Sequence, residues 1–272
     1  MNKKILAVDL DETLFNTDKS ISKENIDALN EMLDAGHVLA VDTGRPLHVM
    51  EKLLAPFGVF DRDNVYFIGY QGSVGVKAGE EEILFGDYLD NEAAVKMITH
   101  AYNQGLSTIA FENGAIYIFG DDYNTQQYAA LAKEPLTIIE SPEQLKGKKL
   151  IKFMVVNFEE PQKLHDFETQ YMFEASEHFV SMFSNVAFLE YVGKDCSKGA
   201  GLTQLAKLLG VSIKNTVACG DERNDISMVE MAGVGAAVNN ARPELKEVAD
   251  YITENDNNHG AVAEVIRKFI LN

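Results

Sequence analysis

The sequence contains little cysteine and no long apolar run. Its two cysteines, Cys196 and Cys219, are too few for a disulfide framework among 272 residues, so we expect both as reduced thiols in the core. No apolar run approaches the roughly 18 residues that a membrane span needs. The apolar stretch behind Lys3 and Lys4 ends at Asp9, which is too short for a signal peptide. These absences predict a cytoplasmic protein without a membrane segment.

Basic residues are also scarce. The chain has 24 lysines and arginines against 42 acidic residues, a formal net charge of −18. An acidic surface repels nucleic acid and anionic membranes, so we predict neither as a partner. An anionic substrate would need a local cation to reverse the sign of the charge at its site.

Two familiar kinds of site are missing. The six histidines show no metal-binding spacing such as His-Glu-x-x-His. The chain has no Gly-x-x-x-x-Gly-Lys-Ser/Thr loop, so ATP binding of the Walker type is not predicted.

The opening of the chain is typical of a strand–helix–strand unit. An apolar strand is predicted at residues 4–8 and a second one at 37–41. Between them Ser22 is a candidate N-cap. The apolar residues behind it recur at helical spacing: Ile26, Leu29 and Leu33. A parallel α/β arrangement follows from this alternation.

The end of the chain repeats the alternation, whereas the middle differs. Helices are predicted at 202–209, 226–232 and 262–271, and strands at 216–219, 234–238 and 251–253. In the middle, Asn113-Gly114 separates two short strands, which is a hairpin signal. A second hairpin is predicted around 184–186, and helices between such hairpins indicate an α+β domain. The predicted fold class is therefore α/β: a Rossmann-like parallel-sheet core, residues 1–83 and 191–272, with an α+β domain inserted at 84–190.

Four polar segments lie near the predicted carboxyl ends of core strands, where ligands bind in open α/β sheets. Asp9-x-Asp11 can present two carboxylates, although a solvated acidic loop is the plain alternative. Thr43-Gly44 can hold a phosphoryl oxygen or act as a helix N-cap. Lys198 at a helix start can offset a bound anion or be solvated. Asp221 and Asp225 suit a hard divalent cation or a helix cap.

Taken together, the four segments are more specific than any one alone. The ordered set Asp-x-Asp-x-Thr, Thr-Gly-Arg, Lys-Gly and Gly-Asp-x-x-Asn-Asp resembles the haloacid dehalogenase-like hydrolase superfamily. Within it the chain is similar to the Cof-type phosphatases, which carry an inserted α/β cap of type IIB. The resemblance covers essentially the whole chain. Three positions depart from the usual pattern: Glu12 stands in place of Gly, Gln71 in place of Asn, and Ser197 in place of Asn.

The resemblance implies a covalent mechanism. Asp9 would be the nucleophile that forms an aspartyl-phosphate. Asp11 would protonate the leaving oxygen and later activate water, with a pKa raised by its acidic neighbours. The phosphoryl group would be held by these groups: the Thr43 hydroxyl, the backbone N–H groups of Leu10 and Gly44, and the side chains of Lys198 and Asn224.

The resemblance also implies Mg²⁺ as the cofactor. Its ligands would be the carboxylates of Asp9 and Asp221 and the backbone carbonyl of Asp11, and Glu222 is a further candidate. Asp225 would support the metal through water, or would support Lys198 through its charge. Three carboxylates and a phosphate ester of about −2 face one lysine, so the reaction needs additional positive charge.

The predicted function is hydrolysis of small phosphorylated metabolites, with sugar phosphates first. One alternative is a phosphotransferase or phosphosugar mutase that uses the same aspartyl-phosphate. A non-enzymatic phosphoacceptor of the receiver type fits less well, because the chain carries a large insert and the candidate nucleophile stands in the first of its motifs. A metal-binding protein without turnover is the remaining alternative. The sequence carries no signal for an oligomeric state.

Overall fold

A computed structural model describes residues 3–119, 122–132 and 135–272 of the chain. It divides into two compact units. The core unit comprises Met1–Gly86 and Cys196–Asn272, and the inserted unit comprises Asp87–Asp195. Within the described ranges, no helix is both long and apolar enough to cross a membrane.

The described residues form fourteen strands and nine α-helices. The strands are β1 (Ile5–Val8), β2 (Val38–Asp42), β3 (Val65–Gly69), β4 (Val74–Lys77), β5 (Ile83–Gly86), β6 (Ser107–Glu112), β7 (Ala115–Phe119), β8 (Thr137–Ile139), β9 (Leu150–Val156), β10 (Phe179–Asn185), β11 (Phe188–Gly193), β12 (Thr216–Gly220), β13 (Val234–Ala237) and β14 (Tyr251–Ile252). The helices are α1 (Lys23–Asp34), α2 (Leu47–Leu54), α3 (Asn91–Asn103), α4 (Tyr123–Ala132), α5 (Gln162–Ser176), α6 (Lys198–Leu208), α7 (Ile226–Met231), α8 (Pro243–Val248) and α9 (Ala261–Val265).

The core unit is built on an eight-stranded sheet in the order β14-β13-β12-β1-β2-β3-β4-β5. The strands from β14 to β3 are parallel, and β4 and β5 are antiparallel additions. All four residues of β1 are buried, as expected for a central parallel strand covered on both faces. This sheet places the carboxyl ends of β1, β2 and β12 side by side, and the parallel α/β core is confirmed.

Local signals at the start of the chain are also confirmed. The Ser22 side chain accepts a hydrogen bond from the backbone N–H of Asn25 and so caps α1. Gly36 ends the helix region with φ +84°. The hairpin of β4 and β5, together with α2 and β3, has no counterpart among the elements predicted from the sequence. These elements are short, and β4 is interrupted by Gly75, which weakens the alternating pattern of a strand.

The inserted unit has its own six-stranded sheet in the order β10-β11-β9-β6-β7-β8. All its pairings are antiparallel except that of β7 with β8. Apolar side chains from α3, α5 and the sheet form its buried core. The predicted domain boundaries need correction. The boundary at 190 lies inside β11, which belongs to this sheet, so the unit extends to Asp195. Residues 84–86 belong to β5 of the core sheet, so the unit begins at Asp87.

Candidate active site

Asp9 occupies the carboxyl end of β1. Its backbone N–H donates to the carbonyl of Cys219 at 3.0 Å, which continues the pairing with β12. A single wide helical turn, Leu10–Leu14, follows it. The backbone N–H of Phe15 closes this turn on the Leu10 carbonyl at 2.8 Å. Glu12 stands in the turn at φ +56°, a conformation in which glycine is unstrained. The turn therefore holds Asp9 and Asp11 on adjacent, fixed backbone.

Three buried carboxylates form the centre of the site. Oxygen atoms of Asp9, Asp221 and Asp225 lie within 4.8 Å of one another. Asp225 is anchored because its Oδ2 accepts from the backbone N–H groups of Asp221 and Glu222, both at 2.9 Å. A Cβ atom on Gly220 would come within 2.5 Å of the Asp225 side chain, so glycine leaves the space that this carboxylate occupies.

Lys198 bridges two of these acids. It lies at the start of α6 and is fully buried. Its Nζ contacts Oδ1 of Asp9 and lies 2.5 Å from Oδ1 of Asp225. Burial alone would lower the pKa of Lys198, but the charges of Asp225, Asp9 and Asp42 outweigh it and raise that pKa. Lys198 is therefore a permanent cation inside the acidic cluster.

One lysine does not neutralise the cluster. Burial, assisted by Asp225 and Asp221, raises the pKa of Asp9 to about 8 despite its contact with Lys198. Burial also raises the pKa of Asp221 to about 7, although Thr13 donates a hydrogen bond to its Oδ1 at 2.7 Å. A close set of carboxylate oxygens that lacks positive charge fits a hard divalent cation such as Mg²⁺.

Asp11 corrects one expectation from the sequence. Its carboxylate accepts two hydrogen bonds from Arg45, from Nε at 2.7 Å and from Nη2 at 2.9 Å, and one from Lys19 at 3.0 Å. Partial burial pushes the pKa of Asp11 upward, but these cations outweigh it and the net pKa is lowered. The predicted rise was wrong because the side chain pairs with two cations, and the acidic neighbours are not among the causes of its shift.

The Thr43-Gly44 loop follows β2 beside Asp9. Thr43 is buried, and its backbone N–H donates to the Ile68 carbonyl at 3.0 Å. Asn224 reaches this loop through another side chain: its Nδ2 donates to Oε1 of Gln71 at 3.0 Å. The Gln71 amide in turn lies against Gly44. The structure thus links Asn224 to the Thr43-Gly44 loop, and Gln71 makes the connection.

Glu222 does not join the carboxylate cluster. Its Oε1 accepts from Nε of Arg242 at 2.6 Å, and its side chain also accepts from the backbone N–H of Arg223. In this arrangement Glu222 acts as a cap and an ion-pair partner, and its role as a further metal ligand stays a prediction. Asp225, by contrast, lies inside the cluster and contacts Lys198 directly.

Sequence reasoning assigned no role to several neighbours of the site. Arg45 directly follows Thr43-Gly44 in the sequence, and this position indicates a cation near that loop. Asp42 is a charged residue at the end of an apolar strand, and this position indicates an unusual environment for its carboxylate. It is fully buried, and neither of its carboxylate oxygens has a hydrogen-bond partner in the part of the chain that the structure describes. Burial raises the pKa of Asp42 well above its ordinary value. Lys19 has no comparable signal, because its contact with Asp11 arises from the loop conformation.

The fold and this site define a class of protein: a parallel α/β core with a lysine-bridged carboxylate cluster at the strand ends. Comparison with known families makes the assignment. Residues 6–266 match the model of the haloacid dehalogenase-like hydrolases, and the chain belongs to this family.

Similar proteins span the full chain. A candidate phosphatase of Streptococcus pyogenes is 30% identical over 280 residues, covering 100% of each chain. The 5-amino-6-(5-phospho-D-ribitylamino)uracil phosphatase YcsE of Bacillus subtilis is 27% identical, covering 98% of this chain and 96% of that protein. A solved sugar phosphatase of subclass IIB of this superfamily is 20% identical, with a TM-score of 0.76, covering 98% of this chain and 99% of that chain. This last likeness shows the fold.

Proposed function

We propose that the protein is a Mg²⁺-dependent phosphatase that hydrolyses small phosphorylated metabolites, sugar phosphates first among them. The observation that carries the proposal is the cluster of Asp9, Asp221 and Asp225 around Lys198. The names of the similar proteins support it, since one acts on a phosphorylated ribityl chain and another on sugar phosphates. The inserted unit is proposed to select among substrates, and the cytoplasm is the proposed location.

The carboxylates of Asp9 and Asp221 and the backbone carbonyl of Asp11 would hold the metal ion. When bound, Mg²⁺ supplies the positive charge that allows an anionic carboxylate to approach an anionic ester. The raised pKa values of Asp9 and Asp221 support this assignment, because they reflect buried carboxylates without sufficient positive charge.

In the first step a carboxylate oxygen of Asp9 attacks phosphorus. The bond from phosphorus to the ester oxygen breaks, and its electron pair leaves with that oxygen, which takes a proton from Asp11. In the second step Asp11 removes a proton from water as the water attacks phosphorus and releases Asp9 and inorganic phosphate. The ionised form of Asp11 that pairs with Arg45 suits the second step, and the first step requires that it take up a proton.

The phosphoryl oxygens would be held from two sides. Thr43 and the backbone N–H groups of Leu10 and Gly44 would contact them from the β1 and β2 side. Lys198 and Asn224 would contact them from the other side. Lys198 is already charged and buried at this point, so its interaction with a phosphoryl group would be weakly screened by solvent.

Asp9→Asn provides the test. Phosphate release from a panel of phosphorylated metabolites would be measured with Mg²⁺ and with a chelator. We expect the wild type to release phosphate only with the metal, and Asp9→Asn to lose nearly all turnover while it keeps a native circular dichroism spectrum. Asp27→Asn, on the exposed face of α1, is the matched control.

Substantial turnover by a folded Asp9→Asn variant would contradict the covalent mechanism. The same panel, repeated with sugar acceptors, separates hydrolysis from transfer: free phosphate supports the phosphatase, and a transferred phosphoryl group would favour the transferase or mutase alternative.

A further inference from the structure

Gln71 joins two loops of the proposed phosphate site through one side chain. Its Oε1 accepts from Nδ2 of Asn224 at 3.0 Å. Its Nε2 lies so close to Gly44 that a Cβ atom there would be only 2.5 Å away. Nε2 has no acceptor among the residues that the structure describes. One end of the amide is thus fixed to the loop after β12, and the other lies over the loop after β2.

Contacts on both sides hold the backbone of Gln71 in place. Its N–H donates to the Thr43 carbonyl at 3.1 Å, and its carbonyl contacts Sγ of Cys196 at 3.2 Å. Gly72 packs against the backbone of Ser197, where a Cβ atom would lie 2.0 Å from the carbonyl oxygen. The turn is therefore fixed both to the Thr43-Gly44 loop and to the start of α6.

The conformation of Gln71 is unfavourable for a glutamine. Its φ is +63°, and that of Tyr70 is +54°. Such left-handed conformations are unfavourable for residues other than Gly, Asn and Asp. Strained residues of this kind persist where surrounding contacts determine them, and they occur most often at functional sites.

We propose that Gln71 is a substrate-positioning residue that links the two halves of the phosphate site. Nε2 donates a hydrogen bond to a phosphoryl oxygen of the substrate, beside the N–H of Gly44. Oε1 holds one N–H of the Asn224 carboxamide, so that the second N–H of that group also faces the phosphoryl oxygens. The inference rests on the proposed function and adds to it a donor and an orientation of Asn224.

The test removes the amide without adding strain. Gly is unstrained at φ +63°, so Gln71→Gly should unfold at no lower temperature than Gln71→Ala, while both lack the amide. We expect both variants to bind inorganic phosphate about 10- to 100-fold more weakly than the wild type in the presence of Mg²⁺. The KM for a phosphate ester should rise in parallel. Isothermal titration with inorganic phosphate and steady-state kinetics provide the two measurements.

Asn224→Ala completes a double-mutant cycle. If Gln71 orients Asn224, the loss of affinity in Gln71→Gly/Asn224→Ala should be smaller than the product of the two single losses. Gln204→Ala, an exposed glutamine on α6, is the control and should bind phosphate like the wild type.

Two results would overturn the inference: phosphate affinity and KM within twofold of wild type in Gln71→Gly, or losses that multiply fully in the double variant. A wild-type protein that binds phosphate but hydrolyses no ester would contradict the proposed function instead, and the titration would still test Gln71.

Discussion

Lys198 contacts two carboxylates at once in a position closed to solvent, and this single side chain shows how the site balances its charges. Three acids and one lysine leave the cluster short of positive charge, which burial magnifies. Asp11 has a different charge environment, because Arg45 and Lys19 lower its pKa and so favour the ionised carboxylate. Two acids separated by one residue in the chain therefore have opposite pKa shifts.

Asp11→Asn should separate proton transfer from nucleophilic attack. An activated aryl phosphate needs little protonation of its leaving oxygen, so Asp9 should still be phosphorylated in this variant. The adduct should persist because no base activates water, and turnover should fall by about 10²- to 10⁴-fold. Intact-mass measurement after mixing with the ester and Mg²⁺ should show one added phosphoryl group. An Asp9→Asn/Asp11→Asn protein that formed the same adduct would disprove the role of Asp9.

Asp42 provides a prediction about pH and stability. Its pKa lies well above the ordinary 3.8 in the folded protein, so the folded state keeps a proton that the unfolded state releases above that pH. The folded state is then progressively destabilised as pH rises from about 4 towards the folded pKa. Asp42→Asn removes this titration. Its free energy of unfolding relative to wild type should increase with pH, by at most about 1.4 kcal/mol per pH unit.

Urea unfolding of both proteins between pH 4.5 and 7.5, with a chelator present, measures this difference. A constant difference in the free energy of unfolding across that range would show that Asp42 has the same pKa in the folded and unfolded states. Some other group would then have to stabilise the ionised carboxylate in its buried position.

At the scale of elements, the site depends on how closely turns approach helices. Gly72 illustrates this, since it packs directly on the residue before Lys198 at the start of α6. The left-handed φ of +96° adds a second reason for glycine at this position.

Gly72→Ala should therefore destabilise the fold by about 2–5 kcal/mol, through the steric overlap and the left-handed conformation together. It should also lower kcat/KM, because α6 carries Lys198. Gly210→Ala is the matched control: its φ is +65°, but no atom of the described residues lies within 4 Å of the added Cβ, so only the conformational cost of about 1–2 kcal/mol applies. Equal losses in urea unfolding for both variants would show that the contact with Ser197 is unimportant.

Much of the fold could be predicted because its signals are local. The uniformly apolar β1, the N-cap at Ser22 and the Asn113-Gly114 hairpin depend on neighbouring residues alone. The pairing of Asp11 with Arg45 could not be predicted, because it joins side chains 34 residues apart whose rotamers depend on the folded loops. The same holds for Gln71, which contacts Asn224 across 153 residues.

At the scale of the whole molecule, the net charge of −18 opposes the approach of any phosphate ester. The cations at the site must overcome that repulsion over short distances. Salt weakens this general repulsion more than it weakens the buried interactions at the site. The cluster acts on the phosphoryl group, so recognition of the rest of the substrate is left to surfaces outside it.

The two-unit organisation leads to a prediction about specificity. The core unit contains a complete eight-stranded sheet and every residue of the carboxylate cluster. Replacing Asp87–Asp195 by a short Gly/Ser linker between Gly86 and Cys196 should therefore leave a folded protein that still cleaves an activated aryl phosphate. Discrimination among phosphorylated metabolites should largely disappear, because the core binds the phosphoryl moiety, and that moiety is common to every ester. Circular dichroism establishes folding, and kcat/KM across the metabolite panel gives the ranking. A trimmed protein that kept the full wild-type ranking would place specificity in the loops of the core, with Gln71 and its neighbours as the first candidates.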